Sequence, residues 1–99
     1  MGEALKLLRI FNGYKSAELA NMLGLSQSYI SELENDKKQP TIDVLDRYAS
    51  VFNMKKSTLM LFVESLESDD REKKGKQRVA YAAMKLLQII EKVGKLDEE

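Results

Sequence analysis

LANMLGLSQSYISEL, residues 19–33, decides how the rest of the chain is read. Leu19, Ala20 and Leu23 recur at helical spacing and mark the inner face of one short helix. Ala20 is small enough to let a second helix cross close by. Gly24 ends the first of the pair, because glycine enters the left-handed conformation after a helix at little cost. Leu25 plugs the core beneath the turn, and Ser26 offers a hydroxyl N-cap to the next helix. Ile30 and Leu33 then face inward, which leaves Gln27, Ser28, Tyr29, Ser31 and Glu32 pointing out. Hydrogen-bonding side chains on a short helix held steeply across another form the geometry that reads base edges in a major groove.

Upstream, residues 1–12 read as a helix with Leu5 and Leu8 toward the core. Arg9 lies among apolar residues and needs a partner if it is buried. Leu7, Ile10 and Phe11 widen the apolar face beyond what a surface helix needs. Gly13 stops this helix, and Lys15 and Ser16 open the next, with Ser16 the better capping side chain. Downstream, the run ENDKKQP at 34–40 is a surface loop, since Asn and Asp tolerate turn positions and Pro cannot continue a helix. Thr41 caps a fourth helix, TIDVLDRYASVF, with Asp43 in the first turn where the helix dipole favours negative charge. Leu45, Tyr48, Ala49 and Phe52 follow core spacing. Asn53 and Met54 connect to a fifth helix that runs from Lys56 or Ser57 to the neighbourhood of Leu66.

Residues 1–66 resemble the lambda-repressor-like helix-turn-helix family, which includes phage repressors, Cro proteins and XRE-type bacterial regulators. The signature is Leu5, Leu8, Arg9 and Gly13, then Leu19-Ala20, Gly24-Leu25-Ser26, Ile30-Ser31, Leu33-Glu34 and Pro40, in register without insertion. The resemblance implies five short helices with the third in the major groove. It implies base contacts from Gln27, Ser28 and Glu32, with Tyr29 and Ser31 beside them. Tyr29 either packs on its own domain or touches a thymine methyl. Phosphate contacts are expected from Lys15, Ser16, Ser26, Asn35, Lys37, Lys38 and Thr41. A buried ion pair between Arg9 and Glu34 would tie the first helix to the end of the reading helix, which supplies the partner Arg9 needs. Two departures from the family pattern matter. Lys15 and Ser16 stand where Ser or Thr followed by Gln is usual, which shortens or replaces a DNA contact. Asp36 stands where the loop usually has glycine, and brings a negative charge toward the phosphates.

The last third differs in character. Residues 67–77 are dominated by charge, and Asp69 with Glu72 has capping-box spacing, so a helix is expected from Asp70 or soon after. Gly75 weakens that helix by about 1 kcal/mol relative to alanine. From residue 79 the chain reads VAYAAMKLLQIIEKV. Val79, Ala83, Leu86, Ile90 and Val93 alternate at four and three, a coiled-coil-like seam, with Ala80, Met84 and Leu87 as a second stripe. Gly94 gives the stop signal, and the acidic tail is expected to fray. An apolar face this broad does not stay in water. Residues 78–99 are therefore expected to form a dimerisation helix through Val79, Ala83, Leu86, Leu87, Ile90 and Val93. The alternative is a sixth helix that covers Leu7, Ile10, Phe11 and the fifth helix within one chain.

Composition bounds the function classes. The architecture expected is all-α, since the 99 residues hold one Pro and five Gly and are 43% hydrophobic. With no Cys and no His, the chain lacks thiolate ligands, the usual general base and the nitrogen metal ligand, so neither an enzyme nor a metal or cofactor site is expected. No apolar run approaches the roughly 20 residues that span a bilayer, so a cytoplasmic protein with no membrane partner is expected. Sixteen basic and sixteen acidic residues cancel, and a local basic edge would have to supply phosphate attraction. The functional expectation is a sequence-specific, double-stranded-DNA-binding transcriptional regulator, a repressor acting as a homodimer on two half-sites, with no small-molecule substrate. The alternative is an antitoxin or anti-repressor type of module that holds a second protein through its C-terminal helix.

Overall fold

The computed structural model describes residues 1–68 and 74–97, with side chains through residue 92. Among these residues there are six helices and no strand: α1 (Gly2–Phe11), α2 (Ser16–Leu23), α3 (Gln27–Glu34), α4 (Ile42–Val51), α5 (Lys56–Glu67) and α6 (Lys76–Asp97). Leu5, Leu8, Leu19, Ile30, Leu33, Tyr48, Leu59 and Phe62 are fully buried and form one continuous core. No helix among the described residues is long and apolar enough to cross a membrane.

One turn device closes four of these helices. After α1, α2, α3 and α4 a single residue takes a positive φ: Gly13, Gly24, Asp36 and Asn53. In each case its N–H and the next one donate back to carbonyls of the last turn, the paired 5→2 and 6→1 bonds of a Schellman ending. Gly24, at φ 72° and ψ 32°, turns the chain so that α3 starts at once from Ser26, whose Oγ accepts from the Tyr29 N–H at 3.1 Å. Thr41 Oγ1 accepts from the Val44 N–H in the same way and starts α4.

Helix α1 is the hub, packing against α3, α5 and α6. Its first residue abuts the far end of α3. A Cβ on Gly2 would lie 2.5 Å from the Leu33 carbonyl oxygen and 2.6 Å from that of Glu34, so only glycine allows the approach. The Gly2 N–H donates to Asp36 Oδ1 at 2.9 Å, which places a carboxylate at the positive end of α1.

The structure corrects the sequence reading at four places. Helix α2 is capped by Lys15 rather than Ser16. An ammonium cannot accept, so Glu18 reaches back instead and its Oε1 accepts from the Lys15 N–H at 2.9 Å. Gly75, at φ 57°, precedes α6 rather than weakening its interior. The Asp69–Glu72 capping box and the helix start at Asp70 lie outside the described residues. Gly94 does not stop α6, which continues to Asp97. A glycine costs an established helix only about 1 kcal/mol, too little to end one.

The fourth correction concerns how α6 is covered. The helix lies on its own domain, across α5 and α1. Ala82 is fully buried there, and Tyr81, Leu86 and Ile89 pack against the core beside it. The proposed seam is therefore divided. Leu86 turns into its own domain and Ala83 is half-buried, while Val79, Leu87 and Ile90 stay 41%, 68% and 47% exposed. The Val93 side chain lies outside the described residues. Leu7 is buried and Phe11 half-buried on α1, but Ile10 is exposed.

Candidate nucleic-acid interface

The outer face of α3 follows from its inner one. With Ile30 and Leu33 buried, the 100° step puts Gln27, Ser28, Ser31, Glu32 and Asn35 on the opposite side. Gln27, Ser28, Ser31 and Asn35 are exposed, and Glu32 is half-buried. Asn35 Nδ2 donates to the Ser31 carbonyl oxygen at 2.8 Å and lies 3.4 Å from Ser31 Oγ, so these two neighbours steady each other. Tyr29 stands between the faces, half-buried against the core. The Lys38 Nζ lies 5.6 Å from its ring centroid.

Several side chains around this face have defined tasks. The Ser26 and Thr41 hydroxyl oxygens accept from helix N–H groups, which leaves each O–H free to donate to an anion. Lys15 and Lys37 are exposed and Ser16 is half-buried at the first position of α2. Lys38 is already engaged, its Nζ 3.3 Å from Glu32 Oε2. Asp36 points its Oδ1 at the start of α1. No three acidic side chains among the described residues gather as metal ligands would.

Behind the face, an ion pair fixes the end of α3. Arg9 Nε donates to Glu34 Oε2 at 2.8 Å and Arg9 Nη2 to Glu34 Oε1 at 3.1 Å, a two-pronged contact. Arg9 Nη1 also donates to the Tyr14 carbonyl oxygen at 3.1 Å. The Arg9 and Glu34 side chains are only 15% and 7% exposed. The Glu34 hydrogen bonds push the Arg9 pKa further above its ordinary value, so Arg9 remains a cation at any working pH. Nearby, burial raises the Tyr48 hydroxyl pKa, and the Glu34 carboxylate adds to the effect.

A family described as a helix-turn-helix domain matches residues 2–64, which hold α1 to α4 and most of α5. The chain belongs to that family. Its helix-turn-helix unit proper is α2, Gly24 and α3. Over 70 residues the chain is 31% identical to the HTH-type transcriptional regulator SinR of Bacillus licheniformis, covering 70% of this chain and 63% of SinR. Over 54 residues it is 37% identical to the HTH-type transcriptional regulator RamB of Mycobacterium tuberculosis, covering 54% of this chain and 11% of RamB. The chain thus spans less than two thirds of SinR and a small part of RamB.

Three side-chain contacts that brace the fold are absent from the sequence reading. Arg47 Nη1 donates to the Leu23 carbonyl oxygen at 3.1 Å, a cation at the negative end of α2, while its Nη2 lies 3.1 Å from Asp43 Oδ2. Arg78 of α6 grips Glu3 through both oxygens, at 2.7 Å from Nη2 to Oε1 and 3.0 Å from Nε to Oε2. Its Nη2 also donates to the Leu66 carbonyl oxygen at 2.8 Å, which joins α6 to α1 and α5 together. The third is the Lys38–Glu32 pair. Lys38 lies six residues after Glu32, beyond the end of α3, so helical spacing gives no signal for it.

Proposed function

We propose that this protein is a sequence-specific double-stranded-DNA-binding transcriptional repressor that acts as a homodimer. Helix α3 enters the major groove with Gln27, Ser28, Ser31 and Glu32 toward base edges, and Tyr29 at the rim. Lys15, Ser16, Ser26, Asn35, Lys37 and Thr41 hold the flanking phosphates. The observation that carries this reading is the outer face of α3: exposed hydrogen-bonding side chains at Gln27, Ser28 and Ser31 with Glu32 beside them, on a helix whose inner face and far end are locked by Ile30, Leu33 and the Arg9–Glu34 pair. That both relatives are named transcriptional regulators supports the same reading.

One such unit reads a half-site, and two on a twofold axis read half-sites about 34 Å apart on one face of the duplex. The exposed stripe of Val79, Leu87 and Ile90 on α6 is the surface proposed to hold the pair. Full burial of such a side chain is worth about 1.5–3 kcal/mol, and the 41%, 68% and 47% of Val79, Leu87 and Ile90 still exposed set the share that pairing adds. Leu86 is left out because it already packs within its own chain.

The test joins selection from random duplexes with sedimentation. The wild-type chain should enrich one sequence with two related halves and sediment as a dimer. Leu87→Asp with Ile90→Asp should sediment as a folded monomer that binds the selected site far more weakly. Enrichment of no sequence would end the DNA-reading proposal. A double variant that remains dimeric would remove α6 from the interface. The same stripe also suits an unlike protein partner, and a monomeric wild type with an intact α6 would favour that reading.

A further inference from the structure

The loop after α3 folds back along the reading helix. The Lys37 and Lys38 N–H groups both donate to the Glu32 carbonyl oxygen, at 2.9 and 3.3 Å, around Asp36 at φ 58°. This path carries Lys38 over the outer face rather than away into solvent. Its ammonium then sits beside two α3 side chains at once, Glu32 Oε2 and the Tyr29 ring. The ammonium pairs with Glu32 through Oε2, at 3.3 Å.

A carboxylate is an unusual group to aim at DNA. It accepts and cannot donate, and phosphates repel it. In the major groove it finds a favourable partner only where a base presents an amino group. Adenine sets its N6 amino group beside the N7 acceptor, which opposes the second carboxylate oxygen. Cytosine presents N4 with no acceptor on its own groove edge, so the carboxylate favours cytosine. An unrestrained glutamate would swing away from the groove. One paired with Lys38 is kept over the outer face.

We propose that Glu32 reads a cytosine N4 amino group, and that Lys38 is a positioning residue for Glu32 rather than a phosphate contact. The Tyr29 ring steadies the ammonium from its other side. This inference rests on α3 being the reading helix.

The experiment compares duplex selection and salt titration for the wild type, Glu32→Gln, Lys38→Ala and Lys38→Arg. Wild type should prefer cytosine at one position of each half-site by about tenfold. Glu32→Gln should move that position to adenine, because an amide pairs with N6 and N7 together. Lys38→Ala should flatten the cytosine preference several-fold, spare all other positions and leave the salt slope unchanged. Lys38→Arg should restore the preference. Circular dichroism melts of the variants should match the wild type, since the pair is exposed and stability is carried elsewhere. A Lys38→Ala variant that binds every sequence more weakly, with the salt slope reduced by about 0.9, would make Lys38 a phosphate contact and overturn the proposal. An unaltered profile for Glu32→Gln would overturn it as well. Wild-type enrichment of no sequence at all would remove the underlying reading of α3 first, and this inference with it.

Discussion

Replacing Arg9 with alanine strands the Glu34 carboxylate at the end of α3. That carboxylate is 7% exposed and takes two hydrogen bonds from one guanidinium. Removing one partner of a buried pair costs about 3–5 kcal/mol, because the other charge stays buried without compensation. Domains of this size are stable by only about 5–15 kcal/mol, so the loss takes roughly a fifth of the total or more. Arg9→Lys rescues little, since an ammonium cannot span both carboxylate oxygens or reach the Tyr14 carbonyl in the same fork. Replacing both charges with methionine is different. It removes the need as well as the supply, and the double variant should lie within about 2 kcal/mol of wild type. Urea titrations of wild type, both single methionine variants and the double variant form a cycle, with a coupling expected to exceed about 2 kcal/mol. Additive single losses, or an Arg9→Ala loss under about 1 kcal/mol, would refute the claim that this pair locks α3.

Two further expectations concern turns and pH. Asn53 holds φ 54° in the ending of α4, so Asn53→Gly should stabilise the chain by up to about 1 kcal/mol; an unchanged or lower urea midpoint would argue against strain at that turn. The Arg78 guanidinium holds the Glu3 carboxyl below its usual value of 4.5, so the contact contributes stability above that pH and loses it as pH falls through the lowered value. Glu3 is half exposed and the effect is small in energy, so the readout is local: amide exchange in α6 should accelerate on acidification, and Glu3→Gln should abolish that dependence.

Much of this architecture is legible in the residues. Gly24 followed by Ser26 marks a stop and a start two residues apart, and the buried positions 19, 20, 23, 30 and 33 fall where a 3.6-residue period puts them. Other features depend on neighbours that periodicity does not name. The apolar arc of α6 is wider than one contact needs. Spacing picks out Val79, Ala83, Leu86 and Ile90 together, but the domain takes Ala82, Leu86 and Ile89, because a small residue lets α6 lie close to α5. The Lys15 cap escapes a reading by residue type because its acceptor comes from Glu18 downstream. The reach of Lys38 to Glu32 follows from the left-handed Asp36, so the residue that departs from the family's glycine directs the loop as the glycine would.

Helix α1 touches both α3 and α6, while α6 packs on α1 and α5. Arg9 near the end of α1 and Gly2 at its start both hold α3, while Glu3 holds α6. The two surfaces are thus joined by a single ten-residue rod. Each can be exchanged without rewriting the other, provided that rod keeps both grips. On the proposed function, a new α6 carrying an arginine at position 78 would bring a different assembly to the same α3, and a new α3 ending in glutamate would bring a different target to the same α6.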